Sequence, residues 1–247
     1  MQLNQSQRNI RLWIDGNLAQ GNNFELSSVQ AHYLNNVMRC VKNDTIKCFN
    51  ADDGEFWCQL IEITKNKAVA KPVKKLRNPE TESDIWLLFA PLKKDKTDFV
   101  IEKAVELGVS CIVPVITERT NVKQVKTERY IAQAIEAAEQ CERLSIPVIN
   151  NPLSLREILD RWDKKRILYF ADERRTGKSA IETIQKEKNR PCAVLIGPEG
   201  GFSDDEARFI NSHEFVKNIN LGKRILRAET AACATLAIWQ ATAGDWQ

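Results

Sequence analysis

Apolar residues come in short bursts along the first third of the chain, at residues 9–14, 45–49, 55–63 and 67–73. Turn signals such as Asp-Gly separate several of these bursts, which is typical of β-strands. Between the first two bursts, apolar residues recur at helical spacing from Ala31 to Met38, behind an N-cap at Ser27 or Ser28. The pattern therefore predicts a small β-barrel interrupted by one helix.

The pattern changes after residue 84, where apolar runs alternate with amphipathic segments. Strands are predicted at residues 85–90, 111–115, 147–149, 167–171, 193–197 and 218–221. Three Ser-x-x-Glu capping boxes, beginning at Ser154, Ser179 and Ser203, predict the starts of three helices between them. This alternation favours a parallel sheet with helices on both faces. A charged, proline-containing stretch separates the two patterns, so we predict domains at residues 1–77 and 78–247.

Composition narrows the classes of function. The 247 residues are 43% hydrophobic and 28% charged, which excludes disordered and fibrous proteins. The first 77 residues carry 11 Lys/Arg against 7 Asp/Glu, whereas the remainder is nearly balanced, so the first domain is the better candidate for contact with a polyanion. No apolar run suits a membrane span or a signal peptide, and we expect a cytoplasmic protein with no membrane partner. Seven scattered cysteines and two histidines predict reduced thiols and no metal site.

A glycine-rich loop follows the predicted strand at residues 193–197, with the sequence Ile196-Gly-Pro-Glu-Gly-Gly-Phe202. Ligands of parallel sheets bind beyond the carboxyl ends of strands. Three glycines permit a close approach by a ligand, whereas an ordinary strand-to-helix turn needs one. Glu199 would repel a polyphosphate, so the loop favours a cationic or uncharged ligand. The segment Thr176-Gly-Lys-Ser179 imitates a phosphate-binding loop but has Asp172 at the required first glycine, which argues against nucleotide hydrolysis.

A second loop follows the predicted strand at residues 218–221, with the sequence Leu221-Gly-Lys-Arg-Ile-Leu-Arg-Ala-Glu-Thr-Ala231. Charged groups packed around two aliphatic residues suit a binding site better than a core or a plain surface. An alanine-rich helix from Ala231 to Trp239 follows, and small side chains permit close approach of another backbone. The helix therefore packs tightly either on its own sheet or against a second subunit.

These two loops, in this order near the C-terminus, closely resemble the RsmE family of 16S ribosomal RNA uridine-N3 methyltransferases, within the SPOUT superfamily. Three more segments are similar to motifs of that family: residues 32–39, residues 94–109, and Thr117-Glu-Arg119. The resemblance spans the chain from about Arg8 to Ala243. One departure is Glu142, where the family usually has glycine before the arginine at Arg143.

The resemblance implies an α/β protein with a PUA-like RNA-binding barrel followed by a SPOUT domain with a deep trefoil knot. It also implies a homodimer that binds S-adenosylmethionine and acts on 16S RNA in the small ribosomal subunit. The implied cofactor-binding residues are Ile196, Gly197, Glu199, Gly200, Gly201, Leu221, Gly222, Ile225, Leu226 and Thr230. The implied RNA-binding residues are Arg8, Arg11, Arg39, Lys94, Arg119 and Arg143.

Methylation of uracil N3 requires loss of an imide proton, so positioning and a proton acceptor should carry the catalysis. Arg227 is the candidate to stabilise negative charge on the uracil oxygens. Glu229 is the candidate either to orient Arg227 or to accept the proton. An ion pair between these two residues, holding the loop, is an equally good interpretation. Two other functions stay open at this stage: a SPOUT enzyme that methylates a ribose 2′-hydroxyl, and a non-catalytic RNA-binding protein.

Overall fold

The computed structural model describes residues 7–122, 124–188 and 190–246. The chain divides into two compact units. The first comprises Met1–Thr81 together with Ala138–Ile146, and the second comprises Glu82–Ala137 and Pro147–Gln247. Because residues 138–146 belong to the first unit, the two units are not separated by one boundary in the sequence. The predicted boundary at residue 77 stays a prediction.

The first unit contains a five-stranded sheet in the order β1-β3-β4-β5-β2. Strands β1 and β3 are parallel, and the other neighbours are antiparallel. All four predicted strands are confirmed, whereas the two-residue β2 is too short to show an apolar alternation. The strands are β1 Gln7–Trp13, β2 Phe24–Glu25, β3 Thr45–Asn50, β4 Gly54–Ile63 and β5 Ala68–Arg77.

The predicted helix of the first unit is α1, Ser28–His32, which continues as a π-helical turn over Tyr33–Val37. Ser27 caps it, since its hydroxyl accepts a hydrogen bond from the Gln30 N–H while the Gln30 side chain accepts one from the Ser27 N–H. Ala31 and Leu34 are buried in the core of the unit, so the face of the helix that the apolar spacing predicted does pack against the core.

Arg11 lies inside the first unit, which corrects its assignment to an RNA-binding face. Its Nε donates to the Glu55 carboxylate at 2.6 Å, and only 7% of the Arg11 side chain is exposed. The guanidinium lies over the Phe49 ring and also donates to the carbonyls of Ala138 and Arg143. Each of its three guanidinium nitrogens donates to a partner inside the unit, so Arg11 links residues 138–146 to the sheet.

Replacing Arg11 by methionine is expected to lower the free energy of unfolding by about 3–5 kcal/mol, because the Glu55 carboxylate loses its buried partner. Denaturant unfolding measures this loss. The double variant Arg11→Met/Glu55→Leu should recover part of it, since neither charge then stays unpaired. An Arg11→Met protein of wild-type stability with weakened RNA binding would restore the original assignment.

Glu142 adopts a φ of 62°, in the left-handed region where glycine has the least strain. This conformation gives a physical reason for the glycine that the resemblance implies at this position. The backbone is held in place because the Glu142 carbonyl accepts a hydrogen bond from Arg77 at 2.7 Å. The substitution therefore leaves the turn before Arg143 in the glycine-like conformation.

The second unit contains a parallel sheet in the order β11-β13-β10-β12-β6-β7-β8, with β9 paired to β7. All six predicted strands are confirmed, while the two-residue strands β9 and β11 were not predicted. The strands are β6 Ile85–Phe89, β7 Cys111–Ile116, β8 Val148–Ile149, β9 Leu153–Ser154, β10 Ile167–Ala171, β11 Lys178–Ser179, β12 Cys192–Ile196 and β13 Val216–Asn220. Strand β12 is buried along its whole length, as expected for a sheet covered on both faces. The implied trefoil knot stays a prediction.

The three helices predicted from capping boxes begin directly after their serines, and the alanine-rich helix begins at Ala228, three residues before its predicted start. The helices of the second unit are α2 Lys94–Glu106, α3 Thr127–Gln140 (whose last residues belong to the first unit), α4 Leu155–Asp160, α5 Ala180–Lys186, α6 Asp204–Asn211 and α7 Ala228–Ala243. The capping boxes at Ser154 and Ser203 are confirmed by reciprocal hydrogen bonds. The box at Ser179 is wrong, since the Ser179 side chain makes no capping hydrogen bond.

The part of the chain that the structure describes has no helix long and apolar enough to cross a membrane. Within the same residues, no group of three or more potential ligand side chains could hold a metal ion. The cysteines are free thiols, most of them buried. Burial raises the pKa of Cys192 to about 12 and that of Cys111 to about 11, so both stay protonated at neutral pH.

Candidate functional site

A pocket of about 580 Å³ lies at the carboxyl ends of β10, β12 and β13, where ligands bind in parallel α/β sheets. Three loops that are far apart in sequence form its walls. Strand β10 lies between β12 and β13 in the sheet, so the loop after β10 meets both loops identified from the sequence. The pocket volume is in the range of sites for small organic ligands.

The three glycines of the loop after β12 differ in how much room they leave for a side chain. A side chain at Gly197 would place a Cβ 2.6 Å from the buried Phe202 ring, so this position permits close packing of the loop on its own phenylalanine. Gly201 has a φ of 67°, and an added Cβ would lie 2.0 Å from the Glu173 carboxylate. At Gly200 the nearest atom to an added Cβ is 3.5 Å away, on Arg119, which is an ordinary van der Waals distance, so the packing of the chain accepts a side chain there.

Two arginines hold the glycine-rich loop from either side. Arg119 donates to the Gly200 carbonyl at 2.8 Å. Arg174 donates to the Phe202 carbonyl at 3.1 Å and to Asp204 at 2.8 Å, while Asp172 accepts from the same guanidinium at 3.1 Å. These hydrogen bonds fix the loop before a ligand arrives, which lowers the entropic cost of binding.

Carboxylates line the pocket on the side of the β10 and β12 loops, with Asp172, Glu173 and Glu199 all contributing. Glu199 forms an ion pair with Lys96 at 3.2 Å. Burial opposes ionisation of Glu199, but hydrogen bonds from its own backbone N–H and from Lys96 outweigh that effect and hold its pKa below the ordinary value. The carboxylate is therefore charged at neutral pH and suits a cationic ligand.

The loop after β13 supplies the apolar side of the pocket and two arginines, Arg224 and Arg227. Leu221, Ile225 and Leu226 line the wall, and Ile225 is 71% exposed in the chain as it stands. Arg227 also lines the pocket and is the N-cap residue of α7, but its side chain makes no capping hydrogen bond. Its guanidinium is therefore available to a ligand or substrate.

Most of the predicted cofactor-binding residues lie at this pocket. Thr230 is exposed on the first turn of α7 and does not line it, and neither does Glu229. Among the described residues no ion pair joins Arg227 to Glu229, so the alternative of a loop-holding pair is not observed. Glu229 Oε2 is instead buried without a hydrogen-bond partner. The pocket residues from the predicted set are Ile196, Gly197, Glu199, Gly200, Gly201, Leu221, Gly222, Ile225 and Leu226.

The structure adds pocket residues that the sequence analysis missed. They come mainly from the loop after β10 and from α2, and are Lys96, Asp172, Glu173, Arg175 and Arg224. The run of charges directly after strand β10, Asp172-Glu-Arg-Arg175, was a usable signal because charged residues at the carboxyl end of a buried parallel strand face the ligand edge of the sheet.

The remaining predicted RNA-binding residues divide between the two units. Arg8 is ion-paired with Asp44 at 3.1 Å, and Arg39 is exposed with a φ of 52°. Arg143 donates to the Ser145 hydroxyl in the first unit. Lys94 is exposed at the start of α2, and Arg119 lies against the glycine-rich loop. Their contacts with RNA stay predictions.

Comparison with known proteins matches both units to families. The RNA methyltransferase domain family matches residues 79–240, and the RNA methyltransferase PUA domain family matches residues 30–73. The ribosomal RNA small subunit methyltransferase E of Rickettsia conorii is 35% identical over 92% of this chain and 93% of its own length.

Two solved structures resemble the fold over nearly the whole chain. That of the ribosomal RNA small subunit methyltransferase E of Neisseria gonorrhoeae, bound to S-adenosyl methionine, is 29% identical with a TM-score of 0.85, covering 97% of this chain and all of that one. A Legionella pneumophila structure, described as a methyltransferase in complex with the bound cofactor SAM, is 30% identical with a TM-score of 0.82. The match covers 95% of this chain and 98% of that one. The chain therefore belongs to the ribosomal RNA small subunit methyltransferase E family of RNA methyltransferases.

Proposed function

We propose that this protein transfers a methyl group from S-adenosylmethionine to N3 of one uridine in the 16S RNA of the small ribosomal subunit. The observation that carries the proposal is a glycine-lined pocket at the carboxyl edge of the sheet, with Arg227 at its wall and no ion pair to Arg227 among the described residues. The relatives that match along almost the full chain bear the name of this activity, and two of their structures hold this cofactor.

The pocket fits S-adenosylmethionine in both charge and polarity. Leu221, Ile225 and Leu226 offer an apolar wall to the adenine ring, and the backbone at Gly200 leaves space that a side chain would fill. Glu173 and Glu199 offer negative charge to the ammonium and sulfonium groups. When bound, the cofactor supplies an electrophilic methyl carbon.

The residues at the pocket wall serve the uracil side of the reaction. Loss of the N3 proton spreads negative charge onto the two flanking carbonyl oxygens, and a guanidinium can donate two N–H groups to one of these oxygens while leaving N3 open to the methyl group. Among the described residues, Arg227 forms no ion pair, and its side chain does not cap α7. Glu229, two residues later, has one oxygen without a hydrogen bond, and we assign it to orienting Arg227 or accepting the proton.

Mass spectrometry of ribosomal RNA nucleosides tests the proposal. Small subunits that lack the modification are incubated with the protein and S-adenosylmethionine, and the digested RNA is searched for 3-methyluridine. Appearance of this nucleoside only with both components supports the proposal. A 2′-O-methylated nucleoside would identify the alternative SPOUT activity, and unchanged RNA that is nevertheless bound would identify a non-catalytic RNA-binding protein.

The proposal includes a homodimer that acts in the cytoplasm, where ribosomal subunits are assembled. Helix α7 carries small residues on a partly exposed face, among them Ala234 and Ala237, which permits close approach of a second backbone. Replacing both by glutamate is expected to give monomers with unchanged circular dichroism and no methyl transfer. Sedimentation together with the nucleoside assay checks this, and fully active monomers would contradict it.

A further inference from the structure

We propose that a cationic hollow next to the cofactor pocket binds a phosphodiester of the substrate RNA. The hollow, here called the phosphate subsite, has a volume of about 500 Å³ and is lined by Arg175, Ser179, Asn220, Gly222 and Lys223. It shares Arg175 and Gly222 with the cofactor pocket. The inference deepens the proposed function, because it names where the RNA backbone lies when the uridine reaches the methyl donor.

The cations around the subsite have no carboxylate partners. Within the described residues, Arg175, Lys178, Lys223 and Arg224 form no ion pair, although they lie on two adjoining segments after β10 and β13. Arg174, next in sequence to Arg175, shows the contrast, since Asp172 and Asp204 neutralise it at 3.1 and 2.8 Å. Uncompensated positive charge beside a substrate pocket attracts a polyanion.

The backbone around the subsite is fixed by internal contacts. The Asn220 amide donates to the Arg175 carbonyl at 3.3 Å, and its oxygen accepts from the Gly222 N–H at 2.8 Å. Arg175 has a φ of 58° and donates to the Lys223 carbonyl at 2.6 Å. Gly177 packs so closely that an added Cβ would lie 2.5 Å from the Asn218 backbone. Such strained and cross-tied segments are typical of binding sites.

The chemistry of the ligand follows from the donor set. Two cationic residues, a serine and an asparagine line one hollow, and residues of these types commonly contact nucleic-acid phosphates. The segment Thr176-Gly-Lys-Ser179 therefore has a role in phosphate binding here without nucleotide hydrolysis. S-adenosylmethionine carries no phosphate, but it has a carboxylate, and Arg175 lines both the subsite and the cofactor pocket, so the test must separate the two anions.

The variant Lys223→Gln tests the subsite, since Lys223 lines the hollow but not the cofactor pocket. The matched control is Lys164→Gln, an exposed lysine before the amino end of β10, at the opposite edge of the sheet. Binding of a small-subunit RNA fragment that the wild type methylates is measured over a salt series, and cofactor binding is measured by calorimetry. A set of RNA fragments, each with one uncharged methylphosphonate near the target uridine, is titrated in parallel.

For Lys223→Gln we expect RNA affinity to fall about three- to tenfold near 0.1 M salt, with a salt slope smaller by about 0.7–0.9. Cofactor affinity and the Lys164→Gln control should match the wild type. One methylphosphonate should weaken wild-type binding but add no further loss in Lys223→Gln. An unchanged salt slope would overturn the subsite and leave the proposed function intact, and weaker cofactor binding would assign the cations to its carboxylate. A wild type that binds no RNA would refute both.

Discussion

Replacing Gly200 by valine is expected to abolish binding of S-adenosylmethionine while leaving the free energy of unfolding nearly unchanged. The nearest atom to an added Cβ is 3.5 Å away, so the backbone accepts a side chain at this position. The extra methyl groups then occupy the pocket that the loop lines. We expect an affinity at least about 100-fold weaker, which corresponds to about 2.7 kcal/mol. Calorimetry on protein of verified stability measures it.

Gly200→Ala is the graded control for this experiment, because one methyl group should reduce affinity less than valine does. Gly201→Val would be a poor choice, since its φ of 67° and the 2.0 Å approach to Glu173 would disturb the loop itself. Unchanged cofactor affinity in a folded Gly200→Val protein would show that the cofactor lies elsewhere.

Replacing Arg227 by glutamine is expected to lower the rate of methyl transfer about 10²–10³-fold, the usual loss when one donor to a developing oxyanion is removed. The Arg227 side chain does not cap α7, so the helix should keep its stability. Single-turnover measurements with saturating cofactor and RNA separate this rate from binding. Arg227→Lys should recover only part of the activity, because an ammonium keeps the charge but not the two parallel N–H groups.

The control for Arg227 is Arg161→Gln, an exposed arginine at the end of α4 and away from the pocket, which should keep the wild-type rate. An Arg227→Gln protein that turns over like the wild type would remove this residue from the mechanism. A loss confined to cofactor affinity would instead assign Arg227 to holding the cofactor.

Much of the site was visible in the sequence because its loops are continuous segments. The motif after β12 and the motif after β13 each contain most of the residues that one wall needs, and the positions of strands show that both loops end at the same edge of a parallel sheet. The third wall was not found. Its residues, from Asp172 to Arg175, reach the pocket only because β10 lies between β12 and β13. The order of strands in a sheet depends on contacts between distant segments, so the local sequence does not predict it.

The assignments that the structure changed concern side chains whose surroundings come from distant parts of the chain. Arg11 is an ordinary exposed cation by its local pattern, but Glu55, Phe49 and the carbonyls of residues 138 and 143 enclose it. The Ser179 box failed although its local pattern is the same as that of Ser154 and Ser203, which do cap their helices. Ser179 lies on strand β11, paired with β13, and lines the phosphate subsite.

The sequence by itself determined the strands, most helix starts, the two ligand loops and the family, because apolar spacing, capping and glycine placement act over a few neighbouring residues. Only the tertiary structure decided which cations are free. Ion pairing depends on distances between segments that are far apart in the chain. The positions of arginines and lysines in the sequence therefore do not predict which of them a carboxylate neutralises. The fold pairs Arg11 and Arg174 with carboxylates and leaves Arg175, Lys223 and Arg227 without such partners among the described residues.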